Sequence, residues 1–416
     1  MFGEPRMVEE SLATGKTPVW NARSIATPND KINLGEGPAG EDSVEIVTKI
    51  EAFKALQHDW DDLCARSNYR FSQGFAWCWS TWEALHRRRR RRLHCIVIRR
   101  GGRFVLVRPF VVYRRSFGTV AAPLGFAYGD YPDPLVENGP EANRRIEAAW
   151  RALRDTCRCD IIRLRHVLKG SDLHRLMVRE RAKPVSRATN LKVEWHGHAD
   201  WESYYRSTKG RNRQDTERRR RRLGERGKVS FEMIEGPQCA PAIDWTLTNK
   251  VKLFTQANRH AGGWLKSKAY RNVWIWSAAR GDPRGRVLVF ALKLDGQIIA
   301  TQLCRVDEIR VEAVESAYDE AYNRYGPGTI LKSDCLKWAF ERGLEFDFRN
   351  GRHTHKERWV NRARSAITYE VPNSKLFALR DWFPVLTPLI HRVRPAQRRI
   401  DRWNMSSWGR NPRRTA

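Results

Sequence analysis

The segment "SAYDEAYNRYGPGTILKSDCLKWAFERGLEFDF", residues 316–348, decides the fold because it joins several structural signals in one order. It begins in an alternating stretch, 311–318, passes through a glycine turn at 326–328, and enters a stretch with helical spacing before a second short strand, "LEFDF". The apolar positions of the predicted helix share one face: Leu331, Cys335, Trp338 and Ala339. The order therefore predicts strand, glycine turn, amphipathic helix and strand.

The alternation before the turn predicts a strand that is buried on at least one face. One set of alternating positions consists of Val311, Ala313, Glu315 and Ala317. The other set consists of Glu312, Val314, Ser316 and Tyr318. Regular pleating would place all members of one set on the same face of the sheet.

The glycine turn has two interpretations. Clusters of glycine and proline mark ordinary turns in many proteins. Before a helix, however, glycines let the backbone approach an anion, and the helix N-terminus offers unpaired amides and a partial positive charge. Neither a Walker loop nor a GxGxxG fingerprint is present. The flanking strand and helix favour a phosphate-binding loop of another type.

Composition limits the remaining choices. The chain has 416 residues, 41% of them hydrophobic, and 17 tryptophans, which predicts packed cores and about two domains. The net charge of +30 indicates an anionic partner or an arginine-rich, otherwise neutral surface. The eight cysteines form no CxxC pair and no zinc-finger spacing, so we expect reduced thiols and no metal site. No secretory signal or membrane-length apolar run appears, which predicts a cytoplasmic protein.

The chain divides into four predicted parts. Residues 1–43 are polar and lack periodicity, which predicts a disordered tail. Residues 44–190 predict strand, helices, a β-hairpin, a helix near 141–157 and a strand, and residues 191–372 repeat this plan at greater length. Residues 373–416 form a basic extension. The prediction is an α/β protein with mixed sheets and a duplicated architecture.

The second part contains the elements that lead to the glycine turn. "STKGRNRQDTERRRRRLGERG" predicts a basic helix that ends at Gly227, and "KVSFEMI" alternates as a strand. A helix is predicted over about 243–258, followed by three strands within 287–319 whose turns lie at 295–296 and 307–308.

Residues 316–359 resemble the C-terminal half of CelD-like acetyltransferase domains in the GNAT superfamily, which show a YD…Y…PG..L pattern, a helix and D-F-x-x-G…K..W. The matching positions are Tyr318, Asp319, Tyr322, Pro327, Gly328, Leu331, Asp347, Phe348, Gly351, Lys356 and Trp359. "FAWCWSTW" and "PLGFAYGDYPDPL" also look like the N-terminal region of that family. The resemblance covers roughly 44–370 and implies two tandem GNAT-like domains, similar to Fem-type transferases, with the cofactor loop in the C-terminal one and a degenerate N-terminal partner on the acceptor side.

The resemblance also implies a co-substrate, acetyl-CoA or another acyl-CoA, whose pyrophosphate lies in the glycine loop. The loop pattern Q/R-x-x-G-x-G/A is in register with 323–328, where asparagine occupies the first position. The residues implied in cofactor binding are Tyr318, Asn323, Arg324, Gly326, Gly328 and Thr329.

Acyl transfer to an amine requires a group that removes a proton, and carboxylates near the loop are the candidates. We predict Glu315 or Asp319, with Asp347 as third choice. Each has a simpler interpretation: Glu315 as a solvent-facing strand residue, Asp319 as a turn-forming side chain, and Asp347 as a residue on the opposite sheet face. Lys356 is predicted to bind a carboxylate or phosphate of the substrate, with a solvated surface lysine as the alternative.

The sequence thus predicts an acyl-CoA-dependent N- or O-acyltransferase acting on a small molecule or a glycan or cell-envelope precursor. Alternatives are a tRNA-dependent Fem-type aminoacyltransferase and a non-enzymatic, basic nucleic-acid- or anion-binding protein. The arginine runs at 86–92 and 217–227 have two interpretations: they bind nucleic acid or anionic lipid, or, in the helix predicted to begin near Arg211, the arginines coat solvated faces. No nucleic-acid-binding motif or interleaved aromatic accompanies the runs, which disfavours nucleic acid. Peripheral contact with an anionic membrane through 376–390 stays an alternative, and the oligomeric state is left open.

Overall fold

The computed structural model describes residues 41–86, 91–115, 118–125, 131–208, 210–257, 263–351, 354–374 and 377. Several predictions lie outside these residues. They are the tail up to residue 40, the middle of the arginine run at 86–92, nearly all of 376–390, and all of the basic extension except 373, 374 and 377.

The N-terminal half consists of β1 (Asp42–Val47), α1 (Ile50–Ala55), α2 (Gln57–Ala65), α3 (Phe75–His86), β2 (Arg91–Arg100), β3 (Arg103–Arg114), β4 (Thr119–Pro123), β5 (Leu135–Val136), α4 (Ala142–Thr156), β6 (Ile161–Leu168), α5 (Asp172–Arg179) and β7 (Pro184–Val193). The predicted hairpin is β2 and β3, and its turn forms because Gly101 and Gly102 adopt φ of 54° and 78°, a left-handed conformation that glycine adopts without steric cost.

The C-terminal half consists of α6 (Trp201–Ser207), α7 (Gly210–Gly224), β8 (Val229–Glu235), α8 (Cys239–Gln256), α9 (Lys268–Arg280), β9 (Gly285–Leu294), β10 (Gln297–Asp307), β11 (Arg310–Tyr318), α10 (Pro327–Phe340), β12 (Glu345–Asn350), α11 (Thr354–Glu357) and β13 (Arg362–Pro372). The basic helix α7 ends at Gly224, before the predicted end at Gly227. The patterns discussed above do not predict α5, α9, β7 or β13.

All of these strands join one 13-stranded sheet, in which β5 pairs with β3 at the side. The strand order is β1-β2-β3-β4-β6-β13-β7-β12-β11-β10-β9-β8. This order is symmetric about its centre. From each edge, four antiparallel strands are followed by a parallel pair, which is β4 with β6 in the N-terminal half and β11 with β12 in the C-terminal half. The predicted mixed α/β class and duplicated architecture are therefore confirmed.

The two central strands are exchanged between the halves. β13, from the end of the C-terminal half, lies between β6 and β7, and β7, from the end of the N-terminal half, lies between β13 and β12. Each half therefore supplies a strand that completes the sheet of the other.

Helices cover both faces of this sheet. On one face, a cluster that includes Trp77 from α3 and Trp274 from α9 joins the halves, and the two indole rings meet at 4.9 Å. On the other face of the C-terminal half, α6, α7 and α10 bury a second cluster against β9 to β12. Burial of large apolar side chains on both faces makes the sheet a rigid support for groups at its centre.

Candidate active site

The parallel strands β11 and β12 pair for only three residues and then separate. The pairs are Arg310 with Glu345, Val311 with Phe346, and Glu312 with Asp347. Beyond this point no pair joins the two strands, both of which are described throughout. The separation, which we call the splay, opens a gap in the middle of the sheet and leaves backbone groups of β11 available to a ligand.

A β-bulge lies in β11 where the splay begins. Leu303 of β10 is opposite Glu315, but Cys304 is opposite Ala313, so Val314 is the extra residue. A bulge reverses the faces of all residues beyond it, and such features are common next to active sites. The regular alternation predicted for 311–318 is therefore wrong: Ala313 lies in the cluster under α10, whereas Glu315 faces α8 and α9.

Glu315 is buried and held from two helices. The Tyr270 hydroxyl of α9 donates to its Oε1 at 3.3 Å, and Lys250 Nζ of α8 lies 3.9 Å from its Oε2. Burial raises the pKa of Glu315 above its ordinary value, although the charges of Lys250, Arg349 and Lys356 and the bond from Tyr270 act in the opposite direction. The simpler interpretation of Glu315, a solvent-facing strand residue, is therefore wrong, because the side chain is only 8% exposed.

The glycine turn lies at 326–328 as predicted, but a 3₁₀ turn that was not predicted separates it from β11. After β11, a 3₁₀ turn spans Glu320–Tyr325, and Gly326 follows in the left-handed conformation with φ of 61°. α10 then begins at Pro327, whose missing N–H costs nothing at a first helical position. The predicted strand, glycine turn and amphipathic helix are present, with the 3₁₀ turn inserted between the first two.

Gly326 and Gly328 differ in their surroundings. A side chain at Gly326 would overlap the guanidinium of Arg219 from α7, whose Cζ lies 2.9 Å from the position of a Cβ. At Gly328 the nearest atom is Cδ1 of Tyr318, at 3.7 Å, an ordinary contact distance. The first turn of α10 thus has a bare backbone at Gly328 and a guanidinium beside it, which are groups that suit a phosphate.

The other residues predicted to bind the cofactor are engaged within the loop. Asn323 Nδ2 donates to Glu320 Oε1 at 3.0 Å, and the Arg324 guanidinium lies 4.8 Å from the ring centre of Tyr325. The Thr329 amide donates to Gly326 O at 2.9 Å. These contacts shape the turn, and the role of Asn323, Arg324 and Thr329 in cofactor binding stays a prediction.

Asp319 serves the turn as an N-cap. Its Oδ1 accepts from the Ala321 amide at 3.0 Å, as the simpler interpretation of this residue expects. Its carboxylate is thereby directed toward the backbone of the 3₁₀ turn.

Asp347 lies at the root of the splay in a buried polar cluster. Its Oδ1 accepts hydrogen bonds from the Tyr131 hydroxyl at 3.2 Å, from Asn190 Nδ2 at 2.7 Å and from the Arg349 amide at 2.6 Å. Burial and the neighbouring Glu312 raise its pKa. With three donors on one oxygen, Asp347 fixes the junction of the two halves.

Glu312 is the second carboxylate of this cluster and balances two arginines. Its Oε1 accepts from Arg70 Nη1 at 2.9 Å, and its Oε2 lies 2.6 Å from Arg305 Nη2. Burial alone raises the pKa of Glu312, but Arg305 and Arg70 lower it below the ordinary value. Since Arg70 belongs to the N-terminal half, charges from both halves meet at the splay.

Three cationic side chains lie around the splay. Lys356 Nζ donates to the Phe348 carbonyl at 2.7 Å, so the predicted substrate ligand is bound to a carbonyl of β12. Lys332 of α10 lies 5.6 Å from the ring centre of Phe348, and burial together with Lys356 lowers its pKa to about 7. Arg349 adopts φ of 59°, an uncommon conformation for a residue with a side chain.

Sequence reasoning missed several groups at this site. Tyr270 lies in a helix that was not predicted, although Tyr270, Val273, Trp274 and Ser277 have helical spacing. Arg219 was assigned to a solvated arginine face, yet it lies on Gly326, and its neighbour Arg220 pairs with Asp334 of α10. No pattern indicates Arg349, because its backbone conformation depends on the Asp347 bond.

No group of three or more His, Cys, Asp or Glu in the described ranges is arranged to hold a metal ion. Of the helices in the described part of the chain, none combines the length and apolarity that a membrane crossing requires.

Comparison with known proteins gives a family match for part of the chain and several structural likenesses. Residues 210–357 match the family model of the acetyltransferase (GNAT) domain. The chain is similar in structure to FemX, with 12% identity and a TM-score of 0.55, over 78% of this chain and 98% of FemX. A tandem GNAT protein from the clavulanic acid biosynthesis pathway is similar at 10% identity and a TM-score of 0.45, over 80% of this chain and 99% of that protein. Curated proteins give no match.

The family match falls on the half that contains β11, the glycine turn, α10 and β12. The likeness to FemX supports the fold of both halves, and the strand order shows that the second half repeats the first. Residues 210–357 therefore match the acetyltransferase (GNAT) domain, and the chain shares the fold of FemX, with an architecture that is repeated in its two halves.

Proposed function

We propose that the protein is an acyltransferase that uses acyl-CoA, with acetyl-CoA as the donor that the CelD-like resemblance implies. The acceptor is an amine or hydroxyl of a small molecule, such as a glycan or cell-envelope precursor, in the cytoplasm. The observation that carries the proposal is the position of Glu315. It is a buried carboxylate with a raised pKa in a splayed parallel sheet, on the strand that leads into the glycine turn.

The residues present fit the phosphates of a CoA donor. The start of α10 offers backbone amides and the positive end of a helix dipole, Gly328 leaves room for close approach, and Arg219 supplies a guanidinium. The donor, when bound, would supply an acyl carbon activated as a thioester. Tyr318, which contacts the Gly328 position, would line the path from the turn to the splay.

Glu315 has the position and chemistry of a general base. It would accept the proton that the acceptor amine loses as the new N–C bond forms and the C–S bond breaks, with sulfur leaving as a thiolate that is protonated from solvent. A raised pKa makes the carboxylate a stronger base than an exposed glutamate. Burial raises the pKa of Tyr270 well above its ordinary value, so this hydroxyl stays protonated and orients Glu315.

The N-terminal half is proposed as a non-catalytic partner on the acceptor side. Its parallel pair β4 and β6 also joins over only two residue pairs. There, however, the chain continues through the buried Tyr131 into β5, which pairs with β3, and α4 begins only at Ala142. Among the described residues after β4, which leave out 126–130, α4 is the first helix. The boundary predicted between 190 and 191 stays a prediction, since β7 (Pro184–Val193) extends across it.

Replacement of Gly328 by tryptophan tests the donor site. Gly328 has no left-handed φ and an ordinary contact at 3.7 Å, so Gly328→Trp should fold, but its indole would occupy the space beside the first amides of α10. We expect saturable micromolar binding of acetyl-CoA to the natural protein by titration calorimetry. In the variant, Kd should rise at least about tenfold, or 1.4 kcal/mol.

Gly224→Trp is the matched control, because Gly224 is also a helical glycine and has open space around it. It should bind acetyl-CoA as the natural protein does. No binding of any acyl-CoA, together with tight and salt-sensitive binding of RNA, would contradict the proposal and favour a nucleic-acid partner.

The pH dependence of turnover provides a separate prediction. Because the base acts only when deprotonated, kcat/KM should fall as pH falls through the pKa of Glu315, which burial raises above its ordinary value. The acidic limb should therefore lie at higher pH than an exposed glutamate would give. It should be absent from the residual activity of Glu315→Gln, and a limb that persists in that variant would assign the titration to another group.

A further inference from the structure

The side of the splay that faces α8 and α9 contains an excess of positive charge around Glu315. Lys250 lies 3.9 Å from the Glu315 carboxylate, and Arg349 and Lys356 act on the same carboxylate electrostatically. From the opposite face of the sheet, Lys332 reaches the ring of Phe348. Three cationic side chains, from α8, β12 and α11, therefore act on the Glu315 carboxylate, and Lys332 of α10 lies close to Lys250 and Lys356.

The other carboxylates at the splay are already occupied. Glu312 is placed between Arg70 and Arg305, and Asp347 accepts three hydrogen bonds on one oxygen. Glu315 is the carboxylate that lies beside Lys250, and Arg349 acts on both Glu315 and Glu312. Burying like charges together is unfavourable unless an anion joins them. The effect is seen at Lys332, because its burial and the nearby charges of Lys356 and Lys250 lower its pKa to about 7.

The phosphates of the donor do not explain why a lysine stands at position 250, because they bind elsewhere. These phosphates are assigned to the turn at the start of α10, which lies on the face of the sheet covered by α6, α7 and α10. Lys250 projects from α8, on the opposite face, and lies beside the atom that would receive the acceptor proton. Its ammonium also lies over the ring of Phe254 at 5.4 Å, which positions it beside Glu315.

We propose that the acceptor carries an anionic group, a phosphate or carboxylate, which Lys250 binds with the help of Arg349 while the reacting amine or hydroxyl lies at Glu315. This inference rests on the proposed function and specifies its substrate class. The uncommon φ of 59° at Arg349, enforced by the bond from its amide to Asp347, is the kind of backbone strain that occurs where a side chain must be aimed at a ligand.

The test compares amino-sugar acceptors that share one amine and differ in charge. With saturating acetyl-CoA, thiol release is measured for D-glucosamine, for D-glucosamine 6-phosphate and for muramic acid, which carries a carboxylate. We expect kcat/KM to be about 10- to 100-fold higher for at least one of the charged acceptors, the range of a charge-assisted hydrogen bond. The preferred member identifies phosphate or carboxylate.

Lys250→Met keeps an apolar stem over Phe254 and removes the charge. In this variant the ratio of charged to neutral acceptor should fall to about one. Lys252→Met is the matched control on the exposed face of α8 and should keep the natural ratio. Equal or higher kcat/KM for glucosamine, or a ratio unchanged in Lys250→Met, would overturn the inference.

A binding measurement keeps the inference testable if none of the amino sugars is acylated. Glucosamine 6-phosphate and muramic acid are titrated by calorimetry into the protein saturated with acetyl-CoA. Binding of either one that is lost in Lys250→Met supports the inference, and absence of binding by both overturns it. Failure of acetyl-CoA itself to bind would instead overturn the proposed function.

Discussion

Glu315→Gln should lower kcat by about 10²- to 10⁴-fold, the usual contribution of a general base. Glutamine has the same shape and can still accept the hydrogen bond from Tyr270, but it cannot take a proton from the acceptor. Because the donor phosphates are assigned to the glycine turn, the Kd for acetyl-CoA should change less than about twofold. Steady-state kinetics and titration calorimetry on the same preparation separate these two effects.

Asp319→Asn provides the comparison, since asparagine caps a helical turn about as well as aspartate. Its amide oxygen can accept from the Ala321 amide as the carboxylate does, so activity should stay within a few-fold of the natural value. If Asp319→Asn abolished turnover while Glu315→Gln did not, the base would be Asp319. The assignment from the buried carboxylate would then be wrong.

Glu312→Ala should have the largest effect on stability, a loss of about 3–5 kcal/mol in the free energy of unfolding. The Glu312 side chain is 2% exposed and that of Arg305 is 0% exposed, so the substitution leaves the buried guanidinium of Arg305 and the partly buried one of Arg70 without their shared counter-charge. The pKa of Glu312 lies below its ordinary value, so the carboxylate is ionised at neutral pH. Its stabilising effect is lost progressively as pH falls below the ordinary pKa of a glutamate and through the lowered one. Urea or guanidinium unfolding at neutral pH measures the loss.

An exposed ion pair on the same sheet serves as the control. Glu232 pairs with Lys293 across β8 and β9, and its side chain is 47% exposed. Glu232→Ala should cost less than about 1 kcal/mol, as exposed pairs usually do. A similarly small loss for Glu312→Ala would show that other groups neutralise Arg305 and Arg70.

Elements with strong local patterns could be predicted from the sequence. The hairpin of β2 and β3 is marked by its glycine turn, and α10 by its apolar face and the Gly326–Gly328 start. The central strands β7 and β13 could not be predicted. Each is half exposed and pairs with a strand far away in sequence, so its place is set by tertiary contacts rather than by its own periodicity.

The candidate base, Glu315, could be predicted from the sequence, but the side chains around it could not. Glu315 was predicted from its place before the glycine turn. Its orientation depends on one extra residue, Val314, and a bulge cannot be recognised from alternation alone. The partners Tyr270 and Lys250 come from helices on the face that the bulge turns Glu315 toward, and so they could not be inferred either.

The exchanged central strands have a consequence for the order of events during synthesis. The N-terminal half emerges from the ribosome first, yet its sheet lacks β13, whose residues 362–372 are made after nearly all of the C-terminal half. Until then β6 presents an open edge, which is prone to pair with other chains. The two halves therefore mature together, after translation of β13, and the splay between them takes its final shape only at that moment.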